Sequence, residues 1–202
     1  MSKTEPPLEG RTRLGAVERR EQLLLTARQT FGSRGFTATS MNDIALASQV
    51  TKPVLYQHFD SKSDLFLEVL TATASELNEA ISSVLKTAAT GREKVEQGIE
   101  IYVRFFGSNP ENYQVLYGEG VRSDPAFASE LRTIQATIND LVADHIEIEQ
   151  LDHDLRRLNA EAISGLLEAA VGHWLSTGQK IDPTEVSSVL CSLVWRGLRA
   201  AP

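Results

Sequence analysis

The sequence predicts an all-α protein in which a small N-terminal domain of three helices precedes a larger helical C-terminal domain. Apolar residues recur every three or four positions through most of the 202-residue chain, as they do on one face of an amphipathic helix. Capping residues precede these segments, and several caps are followed by a proline in the first turn, where a missing N–H costs little. These capped, periodic segments predict about nine helices. Because 42% of the residues are hydrophobic, a globular core is expected.

The predicted organisation is a flexible arm at residues 1–15, the three-helix domain at 16–61 and the larger domain at 62–202. The arm contains prolines and glycines without a helical period, so it is expected to be disordered. Its Arg11 and Arg13 have two open interpretations. They reach a DNA backbone or minor groove, as the arms of some DNA-binding domains do, or they belong to a solvated tail.

The small domain begins with an amphipathic helix from Val17 to about Gly32, followed by two short helices. Three helix starts are marked by Ser40 with Asp43, Thr51 with Pro53, and Ser61 with Asp64. These starts lie about ten residues apart, so the second and third helices are too short to be stable alone. They must pack on a larger structure, which is supplied by a long fourth helix from Lys62 to about Thr87.

The short helix from Lys52 to Phe59 has an apolar face and a polar face at about 100° per residue. The apolar face carries Val54, Leu55 and Phe59, and the polar face carries Lys52, Pro53, Tyr56 and Gln57. Lys and Gln can reach base edges or phosphates, and a Tyr hydroxyl can bind a phosphate oxygen. The pattern is therefore typical of a helix in a DNA major groove, although a solvated helix carrying a Tyr would show the same spacing.

The run Leu55-Tyr56-x-His58-Phe59, followed by Ser61-Lys62, resembles the DNA-binding signature of the TetR family of bacterial transcription regulators. The resemblance covers residues 17–70, and the rest of the chain is similar to the family in length and helical character. It implies DNA contacts by Ser40, Thr51, Lys52, Tyr56, Gln57, His58 and Lys62. Lys52 is then the expected base reader and Tyr56 a backbone anchor, while Ser40 and Lys62 would bind phosphates at helix N-termini.

One departure from the family pattern lies in the turn before this helix. Ser48-Gln49 stands where the family usually has Ala-Gly. Because Gly adopts positive φ without a steric cost, Gln49 must either accept strain or change the turn.

The C-terminal domain is predicted to contain five further helices. They are expected at 91–107, from Asn109 to Gly118, from Asp124 to about Ile148, at 155–177 and from Asp182 onwards. In the middle of this domain a group of aromatic residues forms either a ligand cavity between helices or ordinary core packing. The expected ligand contacts are Tyr102, Phe105, Phe106, Tyr113, Tyr117, Arg122 and Trp174. Arg104 and Arg122 would either meet an anionic group or remain solvated.

The last two predicted helices carry more apolar residues than one core needs, which indicates a surface for a partner. By resemblance, they form a four-helix bundle between two identical subunits. A two-fold dimer would present two recognition helices to one duplex, so the operator would be nearly palindromic. The alternative is that both helices bury these faces within one chain.

The net charge of −7 is distributed unevenly. Residues 1–70 contain nine basic and eight acidic residues, whereas residues 71–202 contain eleven and nineteen. The acidic excess therefore lies outside the predicted DNA-binding part, and it also favours solubility.

Several classes of protein are disfavoured. No apolar run approaches the length of a membrane span, no signal peptide is recognisable, and the single Cys191 forms no internal disulfide, so a cytoplasmic location is expected. No nucleophile–base set or phosphate-binding glycine loop indicates an enzyme or a cofactor. His145, Glu149, Asp152 and His153 could bind a metal, but their spacing favours a solvated acidic loop.

The function predicted is that of a ligand-responsive transcription regulator, most simply a repressor that a small-molecule effector releases from its operator. In some members of the family the ligand favours DNA binding instead. The segments Thr51 to Phe59 and Trp195 to Leu198 are similar to those of actinobacterial regulators of lipid metabolism. An acyl-CoA or another lipid is the first expectation for the effector, and a nucleotide second messenger is the second. An enzyme and a protein-binding adaptor are the alternative classes.

Overall fold

The computed structural model describes residues 15–146 and 151–199, and these form ten α-helices. The helices are α1 (Ala16–Arg34), α2 (Met41–Ala47), α3 (Lys52–Tyr56), α4 (Lys62–Thr87), α5 (Gly91–Ser108), α6 (Pro110–Tyr117), α7 (Glu119–Ser123), α8 (Pro125–Asp144), α9 (His153–Ser176) and α10 (Pro183–Arg199). The all-α prediction is confirmed. The one-turn helix α7 is additional to the predicted set, and within the described ranges no helix is long and apolar enough to cross a membrane.

Most predicted helix starts have the expected caps. The Ser40 hydroxyl accepts a hydrogen bond from the Asp43 amide (3.2 Å), and the Ser61 hydroxyl accepts one from the Asp64 amide (3.0 Å). Thr51 differs, because it occupies the N-cap position of α3 without a side-chain cap hydrogen bond. The start of this helix therefore depends on Pro53 in its first turn, where the ring presets the backbone.

A continuous hydrophobic core joins the first three helices to the rest of the chain. Four aromatic side chains meet at this junction, namely Phe31, Phe36, Phe66 and Phe127, with ring centroids 4.8 to 6.0 Å apart. They come from α1, the loop after it, α4 and α8. Such pairs add about 0.5–1.5 kcal/mol each beyond their area burial, so this cluster is an important part of the attachment between the DNA-binding part and the body.

Two ion pairs connect α1 to α4 along their exposed sides. Arg20 donates to Glu68 at 2.5 Å, and the Arg28 guanidinium binds the Glu76 carboxylate through two nitrogens. The two partners are 48 residues apart in each pair. The two helices therefore lie side by side and run in the same direction.

A further contact between the DNA-binding part and the body is a close approach of α1 to α6. A Cβ atom added at Gly32 would lie 2.3 Å from the Cβ of Glu111, so a larger residue would force the helices apart. The glycine was expected only to end the first helix, but it lies within α1 and allows this contact.

Candidate nucleic-acid interface and ligand cavity

The polar face of α3 is exposed, as its sequence predicts. Leu55 and Phe59 are buried at 0% and 3% exposure, whereas Tyr56 is 43% exposed and lies on the opposite side with Lys52 and Gln57. The ammonium nitrogen of Lys52 lies 5.7 Å from the centre of the Tyr56 ring. A cation and a phenolic hydroxyl are thus presented together to solvent, which suits contact with a DNA backbone and groove.

The turn between α2 and α3 retains the geometry that glycine usually provides. Gln49 adopts φ of 55°, and the Val50 amide donates to the Ala45 carbonyl at 3.0 Å. Two outcomes were expected, strain at Gln49 or a different turn. The structure shows the first, because Gln49 adopts the left-handed conformation. Ser48 beside it is buried, and its hydroxyl has no hydrogen-bond partner among the residues that the structure describes.

Replacing Gln49 with Gly is expected to stabilise the protein by about 0.5–1 kcal/mol, because Gly relieves the left-handed strain although it gains entropy when unfolded. Chemical denaturation measures the change. The matched control is Gln97→Gly on the exposed side of α5, which should destabilise by a similar amount. A loss of stability in Gln49→Gly would contradict the assigned turn geometry.

The remaining predicted DNA contacts differ in their exposure to solvent. Thr51 and Ser40 are exposed at the N-termini of α3 and α2, and His58 is half-buried. The Ser40 hydroxyl is occupied by Asp43, and these hydrogen bonds lower the pKa of the Asp43 carboxyl. The Asp43 carboxylate beside Ser40 would repel a phosphate, which makes Ser40 a less suitable phosphate ligand. Arg11 and Arg13 lie outside the described residues.

Lys62 takes an inward position that its sequence did not indicate. Its ammonium donates to the carbonyl oxygens of Phe36 (2.9 Å) and Thr39 (3.0 Å) and lies 4.2 Å from the centre of the Phe36 ring. Two of its three protons are thus used to hold the loop between α1 and α2. The observed contacts of Lys62 are structural, and one proton remains for a phosphate, so the predicted DNA contact of this lysine stays a prediction.

A cavity of about 910 Å³ lies in the C-terminal body between α4, α5, α6, α8, α9 and α10. Its wall is mainly aliphatic, with contributions from Leu77, Ile81, Ile99, Ile134, Ile138 and Leu167. A volume near the upper end of the range for small-molecule sites, with an apolar wall, suits a long apolar ligand.

Several polar side chains interrupt this aliphatic wall: Asn78, Lys94, Tyr102, Tyr117, Gln135, Asn139, His145, Glu161, Ser164, Glu168 and Arg199. The hydroxyls of Tyr102 and Tyr117 are 3.4 Å apart, and Glu168 faces the same cavity. Burial raises the pKa of Tyr117 to about 12. Burial also raises the pKa of Glu168, although Arg122 acts in the opposite direction. Burial here opposes negative charge, so this part of the cavity is a poor place for the anionic end of a ligand.

Five of the seven predicted ligand contacts do not line this cavity, and their role as ligand contacts stays a prediction: Phe105, Phe106, Tyr113, Arg122 and Trp174. Phe106 is fully buried in the core, with Phe105 packed against it, and Arg122 is exposed on α7. Tyr113 packs on Gly172 of α9. The Trp174 ring packs on Gly107, and its indole nitrogen donates to the Ile181 carbonyl at 2.9 Å.

The sequence reading missed the contributions of α4 and α10 to the cavity. Ile81 of α4 and Leu198 of α10 line it, and both are half-buried. Each of these helices was already predicted to bury one apolar side. A second apolar side on the same helix would have indicated that it also lines a cavity. The predicted metal candidates do not form a site among the described residues, and Glu149 lies outside them.

An apolar stripe is exposed on the last two helices. It contains Leu155 and Leu158 of α9 and Val189 and Leu193 of α10, and the last three are 63%, 55% and 57% exposed. Contiguous exposed apolar patches are a feature of association surfaces, so these four side chains are candidates for one.

A helix-turn-helix with an exposed polar second helix, joined to a helical body with an apolar cavity, defines a DNA-binding transcription regulator. The model for bacterial regulatory proteins of the tetR family matches residues 23–69, and the model for the tetracyclin repressor-like C-terminal domain matches residues 92–197. The chain belongs to the TetR family of bacterial regulatory proteins.

Two curated relatives are transcription regulators. The HTH-type transcriptional activator FasR of Mycolicibacterium smegmatis is 29% identical over 191 residues, which cover 94% of this chain and 87% of that protein. The HTH-type transcriptional regulator AcrR of Shigella flexneri is 27% identical over 184 residues, 85% of each chain.

Solved structures share the fold. A TetR-like transcriptional regulator from Rhodococcus sp. RHA1 has a TM-score of 0.78 and 28% identity, with 94% of this chain and 100% of that chain covered. The regulator FadR from Bacillus subtilis, in complex with stearoyl-CoA, has a TM-score of 0.76 and 21% identity, with 86% and 96% covered. At that identity the second similarity shows the fold alone.

Proposed function

We propose that the protein is a dimeric cytoplasmic repressor that binds a near-palindromic operator and releases it when an acyl-CoA or another long-chain lipid enters the C-terminal body. The observation that carries this proposal is the aliphatic cavity of about 910 Å³. It shares α4 with the DNA-binding part, since Leu77 and Ile81 line the cavity while Phe66 packs at the junction. A ligand in the cavity can thus bias the position of α3 through one helix.

The apolar stripe on α9 and α10 supports the dimer. A two-fold axis through this stripe would bury Leu158, Val189 and Leu193 against their copies, and it would place two copies of α3 on the same side of the assembly. Recognition helices of such dimers enter successive major grooves about 34–36 Å apart, or a multiple of this distance. Lys52, Tyr56 and Gln57 would then make the contacts that select the operator.

Activation is the second candidate, and a specific observation favours it. The relative FasR, which matches 94% of this chain, is a transcriptional activator by name. In an activator the apolar ligand would stabilise the operator-bound spacing instead of the released one. The same cavity serves both mechanisms, so a measurement of the direction of coupling decides between them.

The test begins with the purified full chain. Native mass spectrometry reports the number of subunits and any retained lipid, and selection from a random duplex library yields the operator. Stearoyl-CoA is then titrated onto the protein–operator complex, with CoA alone as the control. A repressor requires operator affinity to fall by about tenfold or more, which corresponds to about 1.4 kcal/mol, and an activator requires it to rise. An unchanged affinity would refute the effector.

Replacing Ile138 with Trp is expected to fill part of the cavity and weaken stearoyl-CoA binding by about tenfold, with operator binding retained. The side chain enters free volume, so the cost of overpacking is small. Isothermal titration calorimetry measures the affinity, and Ile181→Trp, at an exposed position outside the cavity, is the control. Equal ligand affinity in both variants would show that the ligand does not bind in this cavity.

A further inference from the structure

A second cavity adjoins the first one and has the opposite chemistry. It lies between α5 and α10, has a volume of about 1030 Å³, and shares Trp195 and Arg199 with the aliphatic cavity. Its wall is rich in charged and hydroxyl side chains, including four arginines: Arg92, Arg104, Arg196 and Arg199. The two spaces therefore meet at the C-terminal turns of α10, one suited to an alkyl chain and the other to a polar group.

We propose that this α5–α10 groove binds the phosphorylated head of the effector, so that one amphipathic molecule occupies both cavities with its alkyl chain in the first and its phosphates in the second. The proposal rests on the acyl-CoA function proposed above and extends it to the residues that hold the head group.

The charge of the groove supports an anionic occupant. Four arginines line it against two glutamates, Glu96 and Glu100, a local excess of two positive charges in a chain whose net charge is −7. The excess is notable because residues 71–202 are strongly acidic as a whole. A basic groove on an acidic body concentrates a phosphorylated ligand at this position and repels it elsewhere.

Two of the four arginines are available for a ligand. Arg92 binds Glu96 of its own helix at 2.7 Å, and Arg104 is paired with Glu100. Arg196 and Arg199 are exposed, and neither has an ion pair within the described part of the chain. Arginine binds phosphate through two parallel N–H donors, which gives stronger and more directional contacts than a single point charge does.

The interior of the aliphatic cavity carries fewer cationic side chains than the groove: Lys94 and Arg199, against four arginines. Tyr102, Tyr117 and Glu168 also line the cavity, and burial raises the pKa of the Glu168 carboxyl. Burial beside these groups opposes a further negative charge. The anionic end of a ligand is therefore directed to the other end of the space, where Arg199 is exposed and Trp195 forms a wall common to both cavities.

The groove and the apolar stripe lie on different sides of α10. At about 100° per residue, Trp195 and Arg199 point roughly 120° away from Val189 and Leu193. A second subunit on the stripe would therefore leave the entrance at Trp195 and Arg199 accessible. Arg196 lies nearer to the stripe, so variants at this residue need a check of the assembly.

The experiment compares three ligands on the full chain: stearoyl-CoA, stearate and CoA. In the double variant Arg196→Gln/Arg199→Gln, the Kd for stearoyl-CoA is expected to rise by about tenfold or more, with a weaker salt dependence than in the unchanged protein. The Kd for stearate should rise by a clearly smaller factor, because its single carboxylate reaches at most Arg199, whereas the phosphates of stearoyl-CoA occupy the groove. Ser188→Glu, which adds a negative charge to the groove wall without removing an arginine, should act in the same direction.

The controls separate the head-group site from other effects. Arg132→Gln removes an exposed arginine of α8 outside both cavities and should leave all three affinities unchanged. Native mass spectrometry confirms that the double variant has the subunit number of the unchanged protein. Unaltered stearoyl-CoA affinity in the double variant, or an equal loss for stearate, overturns this inference. Failure of the unchanged protein to bind stearoyl-CoA at all refutes the proposed function instead.

Discussion

Replacing Val189 with Glu is expected to convert the proposed dimer into monomers and to lower operator affinity about a thousandfold. Val189 is 55% exposed on α10 beside Leu193, so its side chain is free in one chain and buried in the proposed dimer. A carboxylate at this position would face its symmetry copy in an apolar interface, which is costly for both subunits. Loss of the dimer removes one of two recognition helices, and the remaining one binds in the range of non-specific contacts.

Analytical ultracentrifugation and fluorescence anisotropy with the selected operator measure the two effects. Ile181→Glu is the matched control, because Ile181 is also exposed but precedes α10 and lies outside the stripe. It should leave the assembly and the operator affinity unchanged. Thermal unfolding of the Val189 variant should remain cooperative. A stable dimer of the Val189 variant would refute the assignment of the interface to α9 and α10.

Replacing Tyr56 with Ala is expected to lower operator affinity by about a hundredfold while the free energy of unfolding changes by less than about 0.5 kcal/mol. The dimer uses two copies of this side chain, and the loss of each hydrogen bond to a charged phosphate costs about 1.5–3 kcal/mol. Stability should be spared because Tyr56 lies on the exposed face of α3 and its main neighbour is the side chain of Lys52.

Tyr102→Ala is the contrasting variant, since Tyr102 is buried in the body. The same truncation there should cost about 3–5 kcal/mol, in the range for core aromatics. Tyr56→Phe separates the hydroxyl from the ring, and it should reproduce most of the loss in affinity if a phosphate contact is responsible. A large destabilisation by Tyr56→Ala would mean that this side chain belongs to the core.

The exposed face of α3 was predictable because a five-residue helix has few positions. Leu55 accounts for its buried side together with Phe59, three residues after the helix ends. The cavity was predictable only in outline. Phe106 and Ile138 both lie in apolar stripes at helical spacing, but Phe106 packs in the core and Ile138 lines free volume. Periodicity shows which side of a helix faces inward, and it does not show whether the space it faces is filled.

The contacts of Lys62 could not be predicted from the sequence, for a different reason. It follows the Ser61 cap, as a phosphate-binding lysine would, and its position in the motif indicates a DNA contact. Its hydrogen-bond partners are the backbone carbonyls of Phe36 and Thr39, 26 and 23 residues earlier. Backbone acceptors leave no residue type to recognise in a sequence, because every residue supplies a carbonyl group.

The two ion pairs between α1 and α4 fix the register of these helices more than they add stability. Pairs that are partly exposed contribute only about 0.2–1 kcal/mol each. Both join residues with the same separation of 48, and they lie eight residues apart, or about 12 Å at 1.5 Å per residue. A slide of one helical turn along α4 would break both at once. In the proposed regulator, a ligand that displaces α4 would therefore carry α1 with it, and we expect the two recognition helices to change their spacing by rotation and not by sliding.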